Sequence, residues 1–312
     1  MTHKFNFIGA AAGALVLSAS TADAGTLLAG YAQQNGQFGV TAQDGNTLAQ
    51  TGGAAASQKV VGLTYGADSY YAAGAGAPSN NITRYDTAGG FIGDIKFGPL
   101  LDLGPLAFGA GSVFIAYESQ ITASFGVGSL SSDLGFDATF DVEIPEMATG
   151  LAFGADSLFV AYGSHLAQYG LNGDLLHAFD FGVPKLGALA YGDGMLYAAF
   201  ANGSNQGWAG FDPAVLFATG SGSGLSVSTG SKVNGLAFGD GGVFASFDHE
   251  LVKYDKDGNV LAVVDTGRRV NGPLAFVSDT GAVPEPSAWL LMILGFGTTG
   301  AALRARRRVA VA

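Results

Sequence analysis

Three histidines lie in the body of the chain, His165, His177 and His249, and histidine is the side chain that moves protons or ligates metal near neutral pH. His165 and His249 fall at the same point of two repeats, in the turn before a third β-type run, so a repeated hydrophilic turn accounts for them as well as a site does. Asp255, Asp257 and Asn259 have the spacing that opens a calcium loop. Glycine stands at the fourth position instead of the sixth, however, and Thr266 stands where a bidentate glutamate belongs. The expectation there is a type I′-like hairpin turn. An acidic stretch, Asp133, Asp137, Asp141, Glu143 and Glu146, alternates with Phe136, Phe140, Val142 and Ile144, which reads as a half-exposed outer strand with weak divalent-cation binding as the alternative. Trp208, expected on an exposed loop in the Gly-rich segment 203–210, is a candidate for stacking on a sugar ring, with interblade packing as the alternative. Gly295, Gly297 and Gly300 match a dinucleotide fingerprint, but they sit inside an apolar segment with no strand before them, and no GxSxG, P-loop or HExxH occurs. These observations assign no catalytic residue, no metal ligand and no cofactor.

The elements that would position such residues come from a repeat. The phrase Leu-Ala-aromatic-Gly begins at Leu63 (as Leu-Thr-Tyr-Gly), Leu106, Leu151, Leu189, Leu236 and, ending in valine, Leu274. The intervals are 43, 45, 38, 47 and 38 residues, the period of a four-stranded propeller blade. After Leu236 come an Asp-Gly turn at 240–241, runs at 243–247, 250–254 and 260–264, and a Lys-Asp-Gly-Asn turn. That is four short β-type runs punctuated by turn residues. Runs at 26–32, 37–42 and 47–50 precede the first phrase, and the phrase at Leu274 has no runs after it. Pairing the two makes one more blade. The expected fold is therefore all-β, a propeller of six four-stranded blades over residues 25–280, closed by N- and C-terminal strands; an open Gly-rich solenoid or an irregular sandwich is the alternative.

Composition limits the partners. Residues 25–283 hold 23 Asp and Glu against 9 Lys and Arg, a surface that repels nucleic acid. Cysteine is absent, so disulfides and thiolate metal sites are excluded.

The two ends differ from the middle. His3 and Lys4 lead an apolar run from Phe5 to Leu17, and small residues follow as far as Ala22-Asp23-Ala24. Residues 1–24 thus read as a signal helix that signal peptidase removes after Ala24, with Ala22 and Ala24 as the small residues it requires. At the other end Pro284-Glu285-Pro286 is followed by Trp289, an uncharged stretch at 288–303 and the cluster Arg304, Arg306, Arg307 and Arg308. The prolines keep their segment extended, the apolar stretch suits a short transmembrane helix, and the arginines hold its end in the cytoplasm.

Residues 281–312 resemble the PEP-CTERM family of sorting signals, in Pro284, Glu285, Pro286, Trp289, Gly295, Gly297, Gly300 and the arginines. The Val-Ala-Val-Ala extension past Arg308 is a small departure. The resemblance implies recognition by an exosortase, a membrane-embedded processing enzyme of Gram-negative bacteria that often make exopolysaccharide. An inner-membrane-anchored precursor would lose its tail and be released or attached at the surface. The function expected for the body is noncatalytic: a scaffold at the cell surface or in the extracellular matrix that binds a polysaccharide or a surface protein. The alternative is a lactonase- or lyase-like enzyme with a metal in the funnel, which needs carboxylates, Asn or His from several blades to converge on the axis.

Overall fold

The recurring phrase forms the innermost strand of every sheet, and the contacts of its residues explain why it recurs. In a computed structural model that describes residues 25–277, apart from 34–35, 77–79, 183–184, 222–223 and 268, six four-stranded antiparallel sheets form the blades of a propeller. Blade 1 contains β1 (Thr26–Ala32), β2 (Phe38–Asp44) and β3 (Gln50–Ala56). Blade 2 is β4 (Lys59–Gly66), β5 (Ser69–Ala75), β6 (Asn81–Asp86) and β7 (Phe91–Lys96). Blade 3 is β8 (Leu101–Gly109), β9 (Ser112–Ser119), β10 (Ser124–Ser131) and β11 (Phe136–Ile144). Blade 4 is β12 (Gly150–Gly154), β13 (Ser157–Tyr162), β14 (His165–Tyr169) and β15 (Leu175–Asp180). Blade 5 is β16 (Lys185–Gly192), β17 (Met195–Asn202), β18 (Asn205–Phe211) and, after helix α1 (Pro213–Thr219), β19 (Leu225–Ser228). Blade 6 is β20 (Gly235–Gly239), β21 (Gly242–Ser246), β22 (Glu250–Tyr254) and β23 (Val260–Asp265). The last strand, β24 (Arg269–Val277), pairs with β1 and completes blade 1 in the order β24-β1-β2-β3.

Each residue of the phrase has its own task. The six leucines are buried and line the central channel. The second residue, usually alanine, lies across from a large side chain on the next strand: Ala107 faces Phe114, Ala152 faces Phe159, Ala190 faces Tyr197 and Ala237 faces Phe244. The third residue stacks on that large ring of the preceding blade. Tyr71–Phe108, Phe114–Phe153, Phe159–Tyr191, Tyr197–Phe238 and Phe244–Phe276 lie 5.2–5.9 Å apart and within 19° of parallel. Offset stacking of this kind adds about 0.5–1.5 kcal/mol per pair beyond burial.

The fourth residue is glycine because the next blade's ring stands where a side chain would go: a Cβ on Gly66, Gly109, Gly154, Gly192 or Gly239 would overlap Phe108, Phe153, Tyr191, Phe238 or Phe276. The sixth seam departs from the rule. There Leu28, smaller than a phenyl ring, lies across from Ala275, and Val277 packs in the same cluster as Leu28 and Tyr65. The six apolar clusters correspond to the six seams, so the core is a ring of interblade layers.

After the phrase the chain reverses in two residues with positive φ at both, at Ala67-Asp68, Ala110-Gly111, Ala155-Asp156, Asp193-Gly194 and Asp240-Gly241. This is the type I′ geometry that matches strand twist. The Asp255 hairpin differs from its expectation. Asp255 N donates to Asn259 O, Gly258 N donates to Asp255 O, and among these turn residues only Gly258 has positive φ, so the turn is a three-residue loop with a glycine bulge. The run expected at 47–50 is also displaced. Asp44 Oδ1 accepts from Asn46 N, Thr47 N and Thr47 Oγ1, which curls 44–48 into a turn with Leu48 at φ 57°, and the strand begins at Gln50. Its residues, Gln-Thr-Gly-Gly-Ala-Ala-Ala, carry no alternating hydrophobic signal. Helix α1 has a capped start that no strand reading anticipated: Asp212 accepts from Ala214 N and Val215 N, Pro213 follows, and Gly220 ends the helix at φ 67°.

The seam between blades 6 and 1, where the ring closes, is stitched by polar contacts. Gly25 N donates to Asp240 Oδ2 at 3.0 Å, and Gly45 N donates to Gly25 O at 2.7 Å. The buried Lys253 ammonium donates to Gly45 O at 2.9 Å and Asn46 Oδ1 at 3.1 Å, and lies 5.3 Å from the centre of the Phe244 ring.

Candidate functional site

A propeller that works at its axis needs polar side chains there. Here the six leucines of the repeat face the channel, Thr149 and Asn234 stand at one mouth, and Thr64 at the other. No carboxylate or histidine lines it among the described residues.

The histidines are not brought together into one site. His165 opens β14, where its ring stacks on Tyr162 at 5.5 Å and Nε2 lies 3.8 Å from Asp180. His177 is exposed on β15 and stacks on Phe217 of α1 at 5.0 Å. His249 precedes β22, and its carbonyl accepts from Thr266 N and Thr266 Oγ1. No group of three His, Asp or Glu side chains arranged to hold a metal ion occurs among the described residues. Trp208 is not on a loop. It is fully buried in β18, edge-on to Tyr197 and Tyr254 in the seam of blades 5 and 6, so the sugar-stacking role falls and the packing role holds. The Gly-rich composition of 203–210 reflects a tight hairpin and the close approach of Gly207 and Gly210 to neighbouring side chains and backbone.

The acidic strand leads to a better site. In β11, Phe140 and Ile144 point into the seam of blades 3 and 4, whereas Phe136 is 80% exposed. Phe136 packs edge-on against Phe97, with ring centroids 6.2 Å apart, and both rings line a groove of about 530 Å³ on the face of blade 3 nearest blade 2. That volume is in the range of small-molecule sites. Leu103, Ile115 and Leu130 form its apolar wall; Ser119, Thr122 and Ser124 bring hydroxyls to it. Gly128 adds no side chain, so the groove stays open beside Tyr117.

Two carboxylates complete the lining. Tyr117 OH donates to Asp141 Oδ1 at 2.7 Å. Burial, and then the bond to the Asp141 carboxylate, push the Tyr117 phenol well above its ordinary range, so it stays protonated as a donor. Asp137 accepts from Thr139 Oγ1 at 2.7 Å and Thr139 N at 3.1 Å, and these bonds hold its carboxyl below the usual range. Among the lining residues there are two anionic acceptors and no cation. The groove can therefore take a ligand with apolar faces and hydroxyl donors, and it disfavours an anion.

Of these residues the sequence pointed to Asp137, Asp141 and Phe136. It missed Phe97, Tyr117 and the serines, although the long strands of blade 3, eight or nine residues against five or six in blade 4, are the feature that extends this face. The expected sorting residues Pro284, Glu285, Pro286, Trp289, Arg304, Arg306, Arg307 and Arg308, the cleavage residues Ala22 and Ala24, and both terminal helices lie outside the described residues. No helix among the described residues is long and apolar enough to cross a membrane.

Residues 282–308 match the PEP-CTERM protein-sorting motif. No curated protein matches the chain in sequence. Among solved structures, a protein of unknown function from Bacteroides caccae is similar with a TM-score of 0.58 and 11% identity, covering 82% of this chain and 99% of that one. A chain of a nidogen/laminin complex is similar with a TM-score of 0.61 and 10% identity, covering 81% of this chain and 98% of that one. At such identities the likeness is one of fold. Taken with the six closed blades, the match at 282–308 makes this chain a six-bladed β-propeller that carries a PEP-CTERM protein-sorting motif.

Proposed function

We propose that the protein is a noncatalytic surface or matrix component, exported through its N-terminal signal, processed by an exosortase at its C-terminal motif, and binding an uncharged polysaccharide in the groove on the face of blade 3. The observation that carries the binding part is the lining of that groove: exposed Phe136 and partly covered Tyr117 offer apolar planes, Asp137 and Asp141 offer acceptors, and no cation is present to hold an acidic sugar. A sugar ring has an apolar face for the aromatic plane and hydroxyls for the carboxylates. The leucine-lined axis supports a noncatalytic role, because the enzyme alternative needs ligating groups from several blades at the channel.

Two experiments test the two parts. The full chain in mild detergent is titrated calorimetrically with neutral oligosaccharides and with uronic-acid oligosaccharides of the same length. Binding of the neutral set alone supports the reading; binding of only the acidic set overturns it. Intact mass of the protein from native membrane, surface and medium fractions tests the processing. A species from Gly25 to about Pro284–Pro286 is expected, and a retained C-terminal segment in all fractions would sink the exosortase step.

A further inference from the structure

We infer that Asp240 is the receptor for a new N-terminus, and that the ion pair it forms with the Gly25 ammonium after signal removal locks the propeller ring. The inference rests on cleavage after Ala24, part of the reading above. Its own observation is independent: Gly25 is buried at the closing seam, and its nitrogen lies 3.0 Å from Asp240 Oδ2. In the precursor that nitrogen is a neutral amide with one hydrogen. Hydrolysis of the Ala24–Gly25 bond puts the oxygen of water into the Ala24 carboxylate and both its hydrogens on the Gly25 nitrogen. The product is an ammonium with a positive charge and three donors, already facing a carboxylate.

The surroundings fit this role. Asp240 holds the first position of the type I′ turn after the phrase, a place filled by alanine in three other blades, Ala67, Ala110 and Ala155, so the turn itself does not require a carboxylate. A side chain at position 25 would stand 2.6 Å from Val277 O and overlap Phe276, which restricts the new terminus to glycine. Gly25 O accepts from Gly45 N, whose carbonyl in turn accepts from Lys253, so the pair joins a chain of contacts across blades 6 and 1. A charge-assisted hydrogen bond is about twice as strong as a neutral one, and it would act on the seam where β1 and β24 close the ring.

The test compares the exported protein, its start verified by intact mass, with a version whose signal is placed so that two extra residues remain before Gly25. Each is made with Asp240 and with Asp240→Asn, which tolerates the left-handed turn and keeps an acceptor. The substitution is expected to lower Tm of the Gly25-starting protein by about 2–4 °C and that of the extended protein by less than half as much. Equal losses in both would overturn the ion pair, whereas a mass showing another start would overturn the cleavage reading. Reductive methylation gives a second readout on the folded wild-type protein. The α-amine should react more slowly than the exposed lysines, and equal reactivity would refute its burial against Asp240.

Discussion

A methyl group on Gly109 would lie within the ring of Phe153, and that ring rests on Phe114 with centroids 5.8 Å apart and planes 8° from parallel. The same glycine-for-ring exchange occurs at five seams, so the final glycine of each phrase is set by the blade that follows it. Gly109→Ala is therefore expected to destabilise the fold by about 1–3 kcal/mol through overpacking. Urea denaturation followed by fluorescence measures it. Combining it with Phe153→Leu should cost less than the sum of the two single changes, because the smaller side chain makes room; strict additivity would refute the seam contact.

The groove gives a substitution that fills the site and spares the fold. A Cβ on Gly128 would approach nothing closer than 3.6 Å, an ordinary contact with Tyr117, and the residue has no positive φ. Gly128→Val should abolish neutral-oligosaccharide binding with Tm unchanged. Phe136→Ala, at an exposed ring, should weaken binding by about tenfold, which corresponds to ~1.4 kcal/mol. Retained affinity in both variants would place the ligand elsewhere.

Acid sensitivity follows from the turn carboxylates. Asp44, held low first by the Thr47 backbone N–H, and Asp255, held low first by the Asn259 side chain, both have folded values below the ordinary 3.8. A carboxyl lowered in the folded state contributes stability that is complete above its unfolded value and is lost as pH falls through the folded one. The urea midpoint should thus hold steady down to about pH 5 and drop below about pH 4. Asp44→Asn and Asp255→Asn should each make that drop shallower, and an unchanged slope in the double variant would exclude these turns as its source.

Asp156 pays for its position, with φ 53° in a turn whose other central residue, Ala155, is at φ 48°. Left-handed backbone costs a non-glycine residue about 1–2 kcal/mol, less for aspartate. Asp156→Gly should raise Tm by about 2–4 °C, read by calorimetry. A fall in Tm would mean the carboxylate makes a stabilising contact that outweighs the strain.

Lys253 is buried with its ammonium on Gly45 O and Asn46 Oδ1. Lys253→Met keeps the stem and leaves the buried Gly45 carbonyl without its donor, for an expected loss of about 1–3 kcal/mol. Hydrogen exchange should quicken first in β1 and β24, at the closing seam. Uniform acceleration in all blades would show that this contact has no special place in closure.

The sequence by itself determined the architecture, because a period-forty phrase with fixed residue types records a contact made at nearly every seam: leucine at the channel, alanine opposite a ring, an aromatic for stacking, glycine to admit the next aromatic. It also determined the closure, since three runs without an inner strand at one end and one inner strand without runs at the other form one blade only together. Local pattern failed where side chains carried no periodic signal. The third run was misplaced because Asp44 captures three donors and the true strand is mostly Gly and Ala; Trp208 read as a loop residue because its neighbours are small. Only the tertiary structure decided the groove and the Gly25–Asp240 contact. The groove joins Phe97, in the connection after β7, to residues from all four strands of blade 3, and Gly25 and Asp240 are 215 positions apart, so the first depends on how the strands of one sheet pair and the second on how the ring closes.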